Sequence, residues 1–276
     1  MSVFKTLRTL QPSFSLDKEK KRQDIEFHIP TAWQEMTPAQ YIYALKILAL
    51  IADKTKIKTL LLCRYAGIHV FKKYATSWKC FFRYGFLGLR RHPFILNDWM
   101  VQSLLHQLDY IDSYEAMDRR LDSLHSLHAV DVELHAVPFV DFLNMEKYYQ
   151  AYIVQKDAQF LGKLGKLLYR RKNGDMQKGS VRWKEYELLN IFMWYSRIKS
   201  VFAEQFPYFF KSGNNSEEDS DYNFVAAMNA QIRALTDGDI TKEKEVLHMD
   251  TWRALTELNE KAREADEMQK RLKDIK

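Results

Sequence analysis

The sequence predicts a mostly α-helical fold, a multi-helix bundle-like domain with room for one small two-stranded β element. Three observations lead there. The 276 residues include only 9 Gly and 6 Pro, too few for an all-β fold, which needs a turn about every 8–12 residues. Apolar side chains recur at helical spacing in one stretch after another. Hydrophobic residues make up 46% of the chain, which supports an ordinary core without disulfides or metal and excludes wholesale disorder.

In chain order, residues 1–23 read as a basic, flexible N-terminal arm ending in Lys18-Glu19-Lys20-Lys21-Arg22. Residues 24–29 alternate polar and apolar before Pro30, the pattern of a short strand. Thr37-Pro38-Ala39-Gln40 starts a helix: Thr37 caps, Pro38 suits the first helical position and Gln40 closes a capping box. That helix should bury Tyr41, Leu45, Leu48 and Ile51 or their neighbours. A second helix over 54–66 stops at Gly67. From Asn97 onward, Trp99, Leu104, Leu105, Leu108 and Ile111 have helical spacing.

Residues 129–136 alternate again and read as a strand that could pair with 24–29. Pro138 opens a helix carrying Phe142, Met145, Tyr148, Tyr149 and Tyr152, and residues 158–170 form another. After the break at Asn173-Gly174-Asp175, a long helix over about 183–206 is apolar almost all round between Leu188 and Tyr195 and should be the central core helix. Residues 212–221 are a polar acidic loop, 224–235 a helix ending at Asp237-Gly238. Asp250 caps a last helix whose stripe is Trp252, Leu255, Leu258, Ala262, Ala265, Met268, Leu272 and Ile275. Glu257–Lys261, Asp266–Lys270 and Glu267–Arg271 are favourable i,i+4 pairs. The expected organisation is the arm, an N-terminal helical region over 24–170 and a C-terminal one over 171–276, the last two separate or continuous.

The net charge of +6 conceals alternating blocks: +10 over residues 1–100, −6 over 101–160, +7 over 161–211 and −5 over 212–276. Cys63 and Cys80 form no CxxC pair, which suits a reducing compartment. Residues 1–11 contain no apolar run long enough for a secretory leader. The longest apolar stretch, near residues 41–52, is broken by Lys46 and falls short of the roughly 20 residues of a membrane helix.

No catalytic or cofactor pattern emerges. His125, His128 and His135 with Asp131 and Glu133 match no zinc spacing. Asp237-Gly238-Asp239-Ile240-Thr241 lacks the glycine and closing Glu of a calcium loop, and reads as a turn with a helix cap. Gly162-Lys163-Leu164-Gly165-Lys166 lacks the upstream Gly and the Ser or Thr of a phosphate loop, so its glycines suit a tight helix pair. The expectation is a non-enzymatic protein without cofactor or metal.

Residues 69–96 stand out. Lys72, Lys73, Lys79, Arg83, Arg90 and Arg91 are interleaved with Phe71, Tyr74, Trp78, Phe81, Phe82, Tyr84, Phe86 and Phe94. Cations for phosphates and rings for bases are what single-stranded nucleic acid binding uses. An anionic membrane surface would suit the same composition. Phe71, Tyr74 and Trp78 fall at i, i+3 and i+7, so the spacing also predicts a helix pair that buries its rings.

Several stretches together resemble helical proteins encoded in the tail modules of prophages and tailed phages. Ile25-Glu26-Phe27-His28-Ile29-Pro30-Thr31-Ala32-Trp33-Gln34-Glu35-Met36-Thr37 resembles their "IPtsWeElT" opening. Pro138-Phe139-Val140-Asp141-Phe142 with Glu146-Lys147-Tyr148-Tyr149 resembles a "PFxxF…aexyY" segment, followed by an "LYR" helix end, here Leu168-Tyr169-Arg170. Residues 194–202 and Phe206-Pro207-Tyr208-Phe209-Phe210 resemble a "WYxxxKxxFaxxFPxFF" core, and residues 231–258 resemble the closing helices. The similarity spans most of residues 24–265, although the basic-aromatic strip has no fixed counterpart in it.

The resemblance implies a tail-assembly chaperone or related morphogenesis factor in the bacterial cytoplasm. Such a protein would cover apolar helical stretches of a tape-measure protein, or another tail protein, until tube subunits polymerise around it. The contact surface expected on this reading comprises Trp194, Phe202, Phe206, Tyr208, Phe209, Phe210 and Trp252 with the last helix. The alternative is a nucleic-acid-binding accessory protein using residues 69–96.

Overall fold

The computed structural model describes residues 27–84, 90–113, 117, 119–213 and 224–274. The fold is mostly α-helical and includes two small antiparallel sheets. No helix among the described residues is long and apolar enough to cross a membrane. The chain forms two compact units, the first of the described residues up to Gln40 with Leu50–Asp112, the second of Tyr41–Ala49 with Ser113–Lys276. The boundary expected near residue 170 therefore lies inside the second unit.

Helix α1 (Pro38–Leu50) begins as its sequence requires. The Thr37 N–H donates to Gln40 Oε1 at 2.8 Å, and the Gln40 N–H donates to Thr37 Oγ1 at 3.3 Å, a closed capping box. Tyr41, Ala44 and Leu45 are its buried residues, while Leu48 and Ile51 are only half-buried.

In the first unit, α2 (Lys54–Tyr65) is capped by Asp53, whose carboxylate accepts from the Lys56 N–H at 3.0 Å. It ends before Gly67, whose φ of +64° a side chain would resist. Ile57, Leu61, Leu62 and Tyr65 make its inner stripe. Three strands follow: β1 (His69–Lys73), β2 (Ser77–Tyr84) and β3 (Arg90–Asn97), paired in the order β1-β2-β3. Helix α3 (Asp98–His106) packs on α2 and β3. Beyond it Lys58 sits between two carboxylates, its Nζ 2.5 Å from Asp109 and 2.6 Å from Asp112.

The helix pair expected over residues 69–96 is thus corrected to a sheet. Trp78, Cys80 and Phe82 alternate along β2 with Lys79, Phe81 and Arg83, a period of two. The i, i+3, i+7 coincidence of Phe71, Tyr74 and Trp78 marks no buried helix face: Phe71 and Tyr74 lie exposed and Trp78 is only half-buried.

The second unit contains a minimal sheet of β4 (Ser123–Leu124), β5 (Leu127–Ala129) and, later in the chain, β6 (Tyr169–Arg170). The β4–β5 turn is made by His125 and Ser126, both with positive φ, the backbone of a two-residue hairpin. Helices α4 (Phe139–Gln155) and α5 (Ala158–Leu168) pack on each other, and α5 packs on α6 (Glu185–Gln205). Helix α6 buries Ile191, Met193, Trp194, Tyr195, Ile198 and Phe202 and is the core helix its sequence predicts. At Gly165 an added Cβ would lie 2.6 Å from Ile191 Cδ1 and 3.0 Å from the Trp183 ring, which accounts for that glycine as helix packing. The unit closes with α7 (Pro207–Gly213), α8 (Phe224–Thr236), α9 (Glu243–His248) and α10 (Thr251–Asp274).

The second strand expectation is also corrected. Phe27 to Pro30 join no ladder, and β5 covers only Leu127–Ala129, pairing with β4 and β6. Residues 130–137 are irregular because their backbone groups are taken by side chains. Asp131 accepts from the Glu133 and His135 N–H groups, and the Trp194 and Trp252 indoles donate to the carbonyls of Val132 and Glu133. Leu134 and Ala136 have positive φ, which no strand tolerates. The sequence readings of residues 1–26, 214–223 and Ile275 lie outside the described residues.

Candidate functional site

Two surfaces carry chemistry that their own unit leaves unused. The first is the outer face of the β1–β3 sheet. Cys80, Phe94 and Leu96 are buried on its inner face. Strand alternation puts Lys79, Phe81 and Arg83 of β2 on the other side, opposite Ile95, Pro93 and Arg91 of β3. On β1, His69 faces Phe81 and Lys72 faces Lys79. The register slips between Val70 and Lys72, making Phe71 the extra residue of a β-bulge.

Rings and cations alternate on this face. His69 stacks on Phe81 with centroids 5.0 Å apart, and the Arg91 guanidinium lies 5.2 Å from the Phe81 ring centre. Lys79 Nζ is 5.9 Å from the centre of Phe71, which is 71% exposed. Beside the face, Lys72 reaches over Tyr74 at 5.1 Å and Lys73 over Trp78 at 4.2 Å. Between Asp53 and Asp98 the sequence has neither Asp nor Glu. Among the described residues, no carboxylate comes within ion-pair distance of Lys72, Lys73, Lys79, Arg83, Arg90 or Arg91.

The second surface is the distal half of α10. Asp250 Oδ1 caps this helix, accepting from the Trp252 N–H at 3.0 Å. Ala254, Leu255 and Leu258 are buried in its first half. The same stripe continues to Met268 and Leu272, which are 66% and 58% exposed. Helices α7 and α8 both pack on α10, and they expose Tyr208 and Val225. The Asp266–Lys270 pair forms at 2.8 Å, but Glu267 pairs with Arg263 rather than Arg271, and Lys261 with Asp237 rather than Glu257.

The expected contact residues divide sharply. Trp194, Phe202 and Phe206 are buried in the second unit, so as a contact surface they are corrected to core. Trp252 is half-buried, edge-on to Phe202 and Phe206 at 5.5 and 5.3 Å and stacked on His135 at 4.6 Å. Phe209 and Phe210 are half-buried, with Phe210 meeting Phe209 edge-on at 5.0 Å, and Tyr208 keeps an exposed ring.

The histidines do not converge. His125 Nε2 lies 2.8 Å from the buried Glu187, and His135 lies on Trp252. Among the described residues, no three His, Cys, Asp or Glu side chains form a metal-holding group. Asp239 caps the 3-10 turn after Gly238, accepting from the Thr241 N–H at 3.0 Å, so the Asp-Gly-Asp segment is a turn and cap.

Sequence reasoning missed a buried polar network. Tyr41 donates to Asn190 Oδ1 at 3.0 Å, and Asn190 Nδ2 donates to the Tyr169 hydroxyl at 2.8 Å. Tyr169 in turn donates to the Leu121 carbonyl at 2.8 Å, while the Leu121 N–H donates to Asn190 Oδ1 at 3.2 Å. Burial pushes the Tyr41 and Tyr169 hydroxyls far above the usual tyrosine range, so both remain neutral donors. The only signal was an asparagine amid the apolar run of α6. The network fastens that helix to α1, Leu121 and Tyr169.

Neither protein-family models, nor curated proteins, nor solved structures show a match to this chain.

Proposed function

We propose that the protein is a non-enzymatic factor of phage tail morphogenesis, acting in the bacterial cytoplasm as a chaperone for apolar helical segments of a tape-measure-type protein. Two kinds of support converge. The tail-module segments noted in the sequence cover most of residues 24–265. The observation that carries the binding mode is the uncovered stripe of α10. A core-type stripe that outruns its own core, with Met268 and Leu272 exposed, is shaped to take another amphipathic helix. The paired charges along the same helix keep that stripe soluble while free.

Co-expression with a tape-measure protein is the test. The partner should become more soluble and co-purify with this chain, and Met268→Glu with Leu272→Glu should abolish both effects while leaving the circular dichroism spectrum unchanged. Partner solubility and recovery that do not respond to this protein would overturn the reading.

A further inference from the structure

We propose that the outer face of the β1–β3 sheet is a binding platform for single-stranded nucleic acid. The inference concerns the first unit alone and stands whether or not α10 holds a tail protein. It rests on an arrangement that the sheet's own stability disfavours. Lys72 lies directly opposite Lys79 in the ladder, and Arg83 directly opposite Arg91. Like charges in such cross-strand positions repel and destabilise a sheet. Among the described residues, no carboxylate lies within ion-pair distance of either pair. A chain of phosphates laid across the face would neutralise both.

The rings determine which polyanion fits. A purely electrostatic surface needs none, yet Phe71 is placed in the open by the bulge, beside the half-buried Phe81 that lies under Arg91 and against His69. An exposed ring such as Phe71, with cations beside it, offers stacking to an unpaired base and charge to the neighbouring backbone. A duplex hides its base faces and could use only the cations. A bilayer would favour a continuous apolar wedge, whereas here each ring has a cation over it or beside it.

Fluorescence anisotropy of the full chain with labelled oligo(dT) and oligo(rU), from 50 to 200 mM KCl, tests this. Binding should fall steeply with salt. Lys79→Ala and Arg91→Ala should each weaken it and lower the salt slope by about one. Phe71→Ala should weaken it about 5- to 100-fold at unchanged slope, because it removes a stacking partner and no charge. Lys147→Ala, an exposed cation on α4, should leave binding unchanged. The proposal is overturned by no binding at 50 mM KCl or by slopes indifferent to Lys79 and Arg91. It is equally overturned by equal affinity for a duplex of the same length, or by phosphatidylserine vesicles binding the chain where both oligonucleotides do not.

Discussion

Lysine, arginine and aromatic side chains do opposite things in the core of the second unit and on the outer face of the β1–β3 sheet in the first. In the core of the second unit the cations pair with acids and the rings pack together. Arg170 Nη2 lies 2.8 Å from the buried Asp141, Lys199 Nζ lies 2.6 Å from Glu146, and Arg263 holds Glu260 and Glu267 at 2.7 Å each. The rings there pack on one another, as Phe202 does against Phe142, Phe206 and Trp252. On the β1–β3 sheet the same residue types face outward, cation opposite cation. Composition alone does not separate these roles. What separates them is where the acids are, since a cation becomes structural when a carboxylate is within reach and remains available when none is.

The comparison breaks first on aromatic truncation. Trp194→Ala removes a buried indole whose Nε1–H donates to the Val132 carbonyl at 3.1 Å, and should cost about 3–5 kcal/mol in urea denaturation. Phe71→Ala, on the exposed bulge, should change stability by less than about 0.5 kcal/mol. Equal costs would mean that the sheet's rings are core after all. A smaller effect belongs to Gly165→Ala, whose new methyl meets Ile191 Cδ1 at 2.6 Å. It should lose about 1–3 kcal/mol, and less in an Ile191→Val background, where that methyl is gone.

Titration separates interior from surface within the first unit. Cys80 lies on the inner face of the sheet, and burial, with a smaller contribution from the nearby Cys63, pushes its thiol up to about 11 against an opposing effect of Lys73. The raised folded-state value means that the neutral thiol is favoured in the native protein. Its contribution is complete below the unfolded value of 9.0 and is lost as pH rises through about 11. The gap in urea stability between wild type and Cys80→Ala should therefore narrow between pH 9 and 11 and stay constant from pH 6 to 8. A gap that stays constant through pH 11 would place Cys80 in contact with water, because its thiol would then ionise alike in the folded and unfolded chain.

The helices were legible because several signals agreed at each. The Thr37–Gln40 capping box, the stop at Gly67 and the apolar run of α6 each act within one turn of their own helix. The sheet was misread because its period was masked. Phe81 and Phe82 are adjacent, so both faces carry a ring and the alternation of two blurs. The strand expected over 129–136 failed for a different reason. Its alternation is real, but Trp194 and Trp252, distant in sequence, capture its carbonyls. The candidate contact residues divided on the same ground, since a Trp-Tyr or Phe-Pro-x-Phe-Phe motif reads identically whether its rings are buried or offered to a partner.

The smallest predicted effect bears most directly on the sheet. Arg83→Thr removes one member of the Arg83/Arg91 pair from an exposed strand position and adds a β-branched residue. If the pair is a repulsion that the free protein tolerates, the variant should be more stable by about 0.2–1 kcal/mol at low salt. The gain should shrink as ionic strength rises and screens the wild-type repulsion. The same substitution should weaken oligonucleotide binding, so stability and affinity move in opposite directions. A structural arginine would lose both stability and binding on replacement, and a solvated one would change neither. Only a cation kept for a polyanion predicts a more stable sheet that binds less well.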